Sequence, residues 1–102
     1  MKITNTPDRW VILKLRDNDY RVFGVWFGGY LDGDMWRLNS GIVKVEQDED
    51  YYYFTGASGS CYKCNKKSYG ITTRYGLSIL NEILEKSKGE IKLLYRIEDY
   101  QI

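Results

Sequence analysis

The run WVILKLRDNDYRVFGVWF, residues 10–27, reads as two strands and the turn between them. Val11, Leu13 and Leu15 alternate with Trp10, Ile12, Lys14 and Arg16, the period of two that turns one face of a strand toward a core. Asp17-Asn18-Asp19 supplies turn residues, and residues 20–27 return as the antiparallel partner. Outward from this hairpin the same grammar continues. Residues 28–34, GGYLDGD, are turn chemistry, residues 35–38 a short strand, and Asn39-Ser40-Gly41 a further turn or bulge. Residues 42–46 and 51–55 form a second hairpin around the acidic tip Gln47-Asp48-Glu49-Asp50. Beyond a small-residue loop, residues 61–64 suit one more short strand.

The period changes once. Leu77, Leu80, Ile83 and Leu84 mark one face of a helix over residues 75–88, with Asn81, Glu82, Glu85 and Lys86 facing water and Gly89 placed as a C-cap glycine. Residues 90–98 read as a closing strand, with Ile91, Leu93, Tyr95 and Ile97 on one face. The expected fold is therefore α+β, one domain over residues 1–102. It is an antiparallel β-meander, a helix in the C-terminal half packed on it, and a closing strand, in the order β-β-β-β-β-α-β.

Composition bounds the chemistry. Fifteen basic against fourteen acidic residues leave a net charge of +1, so no global field gathers long nucleic acid or an anionic membrane. No apolar run approaches the ~20 residues of a membrane span, and residues 1–10 lack the apolar core of a secretion signal, so a cytosolic location is expected. The chain contains no histidine, which removes Ser-His-Asp and Cys-His catalysis and histidine-ligated metals. Aromatics make up 16%, with ten Tyr and three Trp, more than a core of this size buries comfortably. Some rings should remain at a surface that holds a partner.

Residues 51–64, YYYFTGASGSCYKC, concentrate these signals. Cys61 and Cys64 form a single C-x-x-C without the further ligands of a zinc site, and on a strand residues three apart point to opposite faces. Two reduced, partly buried thiols are expected. Gly56-Ala57-Ser58-Gly59-Ser60 resembles a nucleophile elbow but ends in Ser, precedes no helix and has no histidine base. It reads as a hairpin loop, or as a cradle that offers amides and hydroxyls to an anion. Lys63, Lys66, Lys67 and Arg74, interleaved with Tyr62, Tyr69 and Tyr75, make the densest positive cluster in the chain.

The motifs W-R-L-N-S-G at residues 36–41, D-Y-Y-Y-F at 50–54, G-x-S-G-S-x-Y-x-C at 56–64 and Y-G at 75–76 resemble a group of small proteins encoded by tailed bacteriophages. The likeness runs from Trp10 to about Ile91 and matches no enzyme signature. A histidine often follows the cysteine in that group; Asn65 stands there in this chain, which weakens a metal reading further. The resemblance implies a phage accessory protein in the cytoplasm of an infected bacterium, acting against host defence. No catalytic residue, metal or cofactor is expected. The leading expectation is capture of a small phosphorylated ligand such as a cyclic or modified nucleotide. Trp26, Tyr30, Trp36 and Tyr62 would stack on the base, and Ser58, Gly59 and Ser60, with Lys63, Lys67 and Arg74, would hold phosphate. A site between the subunits of a homo-oligomer is expected, because so small a meander has little concavity. The alternative is a protein–protein inhibitor that uses the same aromatics to cover a host protein.

Overall fold

In the computed structural model, which describes residue 3, residues 5–29 and residues 33–100, the first strand settles the architecture. Strand β1 (Arg9–Lys14) buries Trp10, Val11, Ile12 and Leu13 in succession, so both of its faces are covered. A strand enclosed on both faces needs a layer on each side, and the chain supplies two. Strands β2 (Tyr20–Gly29) and β3 (Gly33–Leu38) extend an antiparallel sheet from β1, and a short β7 (Lys92–Leu93) flanks its other side, in the order β3-β2-β1-β7. Strands β4 (Ile42–Gln47), β5 (Tyr51–Gly56) and β6 (Cys61–Asn65) form a second antiparallel sheet in the order β4-β5-β6. Helix α1 (Arg74–Lys86) covers the far face of the first sheet.

Alternation along β1 sorts the core into two compartments. Val11 and Leu13 meet Phe23, Val25 and Leu80 under the helix. Trp10 and Ile12 meet Val22, Phe54, Tyr62 and Cys64 between the sheets. Thr73 caps α1 by accepting from the Gly76 amide, and Gly76 lies so near the sheet that a Cβ there would stand 2.6 Å from Ile71 Cγ2 and 3.1 Å from Val25 Cγ2.

The α+β class and the C-terminal-half helix stand as expected, with corrections inside them. The additional short strand at residues 61–64 is present as Cys61–Asn65, so six strands precede the helix and the five of the expected order gain one. They divide into two stacked sheets instead of one meander, because the turn at Asn39-Ser40-Gly41, with Gly41 at φ 113°, sends the chain from one layer to the other. The helix starts at Arg74 and ends at Lys86 with Ser87 as its cap, and the left-handed residues after it are Lys88 and Gly89. Leu77 sits at the border of the apolar stripe and stays 41% exposed. The closing strand over residues 90–98 shrinks to Lys92–Leu93. Ile91 and Leu93 pack under the helix, Leu94 and Ile97 pack between the sheets, and Tyr95 is 84% exposed. The chain changes layers here, which a single strand face cannot do.

Where it changes layers, Tyr69 replaces part of the ladder beside β1. The Gly70 amide donates to the Trp10 carbonyl at 2.8 Å, and the Leu94 amide donates to the Ile12 carbonyl at 3.0 Å. Between them the Ile12 amide donates to the Tyr69 hydroxyl at 3.0 Å, and that hydroxyl donates to the Leu94 carbonyl. Burial pushes the Tyr69 phenol up to about 12. Tyr69→Phe leaves one backbone donor and one acceptor without this partner, so chemical denaturation should show a loss of about 1–3 kcal/mol. A loss below about 0.5 kcal/mol, within the range of ordinary surface changes, would mean that the hydroxyl is not a structural rung.

Candidate binding surfaces

Two of the motifs singled out in the sequence meet in space. The turn after β3 and the turn between β5 and β6 pack together: Ala57 donates its amide to the Gly41 carbonyl at 2.8 Å, and Ser58 donates its amide to Ser40 Oγ at 2.9 Å. Ser40 donates its hydroxyl to Ser58 Oγ at 3.0 Å, and Ser58 Oγ lies 3.2 Å from Ser60 Oγ. The Gly56 amide donates to the Ser60 carbonyl and the Gly59 amide to the Gly56 carbonyl. Each amide from Gly56 to Gly59 therefore already has an acceptor within the chain. Of the two readings of this segment, hairpin loop or anion cradle, the hydrogen bonds describe a loop whose amides at residues 56–59 are engaged.

Asn39 anchors this junction. It is 2% exposed, and its Oδ1 accepts from the Val22 amide at 2.9 Å and from the Gly41 amide at 3.3 Å. Its Nδ2 has no hydrogen-bond partner among the described residues. A Cβ at Gly56 would lie 2.6 Å from Ser40 Oγ and 3.4 Å from Asn39 Nδ2, so any larger residue would force the Ser40 hydroxyl to move.

The other nominated residues do not converge. Trp26 and Tyr62 are together, edge to face at 6.3 Å, but in the inter-sheet layer, where Tyr62 is 3% exposed. Trp36 stands across the sheet from them, opposite Val25 and stacked on Phe23 at 5.6 Å on the helix side. Tyr30 lies outside the described residues. Lys67 is exposed in the 3-10 turn after β6, and Arg74 is exposed at the first position of α1. Only Lys63 joins an ordered surface.

That surface is the outer face of β4-β5-β6. Glu46, Tyr53 and Lys63 stand in one row across the three strands, with Val45, Phe54 and Tyr62 the adjoining inward row. Lys63 Nζ sits 4.3 Å from the centre of the Tyr51 ring, a cation–π contact, and Tyr53 donates its hydroxyl to Asp48 Oδ2 at 2.6 Å. Asp48 also accepts from the Tyr51 and Asp50 amides. The hairpin tip thus ties two half-buried tyrosines, their rings tilted at 45° to one another, into one polar-rimmed array. The hydrogen bond to Asp48 raises the Tyr53 phenol to about 12, and the same bond holds the Asp48 carboxyl below its ordinary range.

Cys61 faces the Thr55 side of β6 and Cys64 the inter-sheet side; both are buried thiols outside any disulfide, and burial pushes both up, Cys64 strongly. Among the described residues, no three Cys, Asp or Glu side chains gather as metal ligands would, and no helix is long and apolar enough to cross a membrane. A cavity of about 240 Å³, lined by Leu15, Arg16, Asp19, Glu90 and Ile91, includes none of the nominated residues in its lining and falls below the roughly 300 Å³ of a ligand pocket. Compared with protein-family models, curated proteins and solved structures, the chain finds no match.

Gly56→Ala should destabilise the protein by about 1–3 kcal/mol, since Ser40 must leave its bonds with Ser58 to admit the methyl; unchanged stability would mean that the junction is loose. Tyr53 should resist ionisation when absorbance is followed through pH 10, its ordinary value, and Asp48→Asn should return it toward that value. The folded protein keeps a proton that the unfolded chain releases, so this contribution to stability is lost as pH rises between about 10 and 12. The depressed Asp48 works in the other direction: its contribution is present at neutral pH and is lost as pH falls below the ordinary aspartate range.

Proposed function

We propose that this chain is a non-catalytic binding protein of a tailed bacteriophage, which blocks a host protein by covering it with the outer face of β4-β5-β6. One observation carries the reading. The amides of residues 56–59, including those of Ser58 and Gly59 nominated for a phosphate, already have acceptors within the chain, whereas Tyr51, Tyr53 and Lys63 form a tied array on the outer face of the second sheet. Tyrosine tied by its hydroxyl or by a cation contributes contact area at little entropic cost, and an open sheet face with a charged rim suits a protein surface better than a small ligand. Capture of a nucleotide within one chain has less support, because the first sheet separates Trp36 on its helix side from Trp26 and Tyr62 in the inter-sheet layer.

The test uses a photo-crosslinking phenylalanine analogue in place of Tyr51 or Tyr53, in chain produced in bacterial cells. A discrete adduct with one host protein is expected, competed away by unmodified chain and absent when the analogue replaces Asn81 on the exposed face of α1. In parallel, a panel of cyclic dinucleotides and related nucleotide signals should leave the melting temperature unchanged, since a ligand at 100 times its Kd would add about 2.7 kcal/mol. A raised melting temperature with any of these nucleotides, and no adduct at either tyrosine, would overturn the reading in favour of ligand capture.

A further inference from the structure

We propose that two copies of this chain join edge to edge through β3, antiparallel and in a register centred on Trp36. The strand edges of the molecule are not equivalent. The outer edge of β1 is closed by Gly70, Tyr69 and β7, and the outer edge of β6 is met by Asn5, which donates to the Cys61 carbonyl and accepts from the Lys63 amide. Among the described residues β3 and β4 remain as open edges. β4 carries a register irregularity between Ile42 and Lys44, and the charged pair Lys44–Glu46, features that discourage strand addition. β3 shares a register shift with β2 between Trp26 and Gly29 and carries the exposed Arg37, but along residues 35–38 its pairing is regular and its edge more apolar: Met35 is 44% and Trp36 38% exposed. On its helix side, where α1 packs against β3, Tyr75 and Leu77 are exposed as well.

The ladder to β2 fixes which backbone groups of β3 are available. The Asn39 amide donates to the Val22 carbonyl at 2.9 Å, and the Val22 amide returns to Asn39 through Oδ1, so this pair bonds inward. Antiparallel ladders alternate by two, which directs the backbone groups of Arg37 and Met35 toward β2 and those of Leu38, Trp36 and Asp34 toward the open edge. A two-fold axis normal to the sheet keeps both helices on one side and requires opposed residues to share a face. Centred on Trp36, it sets Trp36 against Trp36 of the second copy and Asp34 against Leu38. Each of the three then exchanges both N–H and C=O. The neighbouring registers fit less well. Centred on Met35, the pairing leaves Leu38 without a partner in β3; centred on Arg37, it places two guanidinium groups opposite each other. In the Trp36 register Met35 faces Arg37 instead, an apolar side chain beside an aliphatic stem.

This surface is separate from the tyrosine face, so the proposal stands or falls independently of the proposed function. The full chain at micromolar to submillimolar concentration should show, by sedimentation equilibrium, a mass of twice 12.0 kDa. Trp36→Arg should weaken that association at least tenfold, roughly the loss expected of an interface hot spot. The register has its own readout: an equimolar mixture of Met35→Cys and Arg37→Cys chains should oxidise mainly to the mixed disulfide, while either variant alone crosslinks poorly. A monomer across the whole concentration range overturns the proposal, and so does a dimer in which like chains link as readily as unlike ones.

Discussion

Trp10 donates its indole N–H to the Asn65 carbonyl at 2.8 Å, and the two sheets are held in relation through this residue. Its ring is wholly buried, edge-on to Tyr69 at 4.8 Å and to Tyr52 at 6.0 Å, and tilted against Phe54 at 5.4 Å. Its carbonyl accepts from Gly70. One residue of β1 therefore fixes the end of β6, the turn that follows and the approach to α1. Its partners come from residues more than forty positions away in the chain, so these contacts form only when both sheets are in place. Buried indole N–H groups need an acceptor, and here the acceptor belongs to the other layer. Packing and hydrogen bonding thus demand the same arrangement.

That arrangement was partly visible in the sequence. Strands and helix are local objects, and the alternation at residues 11–15 and the 3.6 period near Leu80 show them directly. Sheet membership is not local. Trp10, Val11, Ile12 and Leu13 are apolar without a break, which is the mark of a strand covered on both faces, yet the alternation from Val11 to Leu15 reads equally as a half-exposed strand. Ile91, Leu93, Tyr95 and Ile97 show the opposite difficulty. Their spacing is that of a strand, but the Leu94 amide is taken by Ile12 and the chain then crosses to the inter-sheet layer, so Tyr95 is left outside. Periodicity describes a face; it says nothing of a crossing.

The candidate site was less legible, and for a physical reason that can be stated residue by residue. Tyr62 and Lys63 were grouped by composition, although neighbours on a strand point to opposite faces. Tyr62 accordingly enters the core, and Lys63 lies over Tyr51. Ser58 and Ser60 share a side and do meet, but their main neighbour is Ser40, eighteen positions before Ser58 and read only as part of a turn. Asn39 carries the bonds that make this junction, and its one sequence signal is an Asn-Ser-Gly step between strands. The Asp48–Tyr53 bond follows from hairpin geometry, and the sequence shows the acidic tip without showing which phenol it reaches.

A chain this short, with a strand enclosed on both faces, has little interior left over. Side chains of the two compartments fill the space between three thin layers, and the turns at residues 39–41 and 56–60 engage most of their polar groups with each other. A concave site would have to be opened at the expense of one of those layers, since removing buried side chains costs both transfer and cavity energy. Capacity to bind is then left to what the layers present outward: the tyrosine face of one sheet and the open edge of the other. Both offer area and backbone pairing rather than enclosure, the kind of surface that the proposed binding to proteins would use.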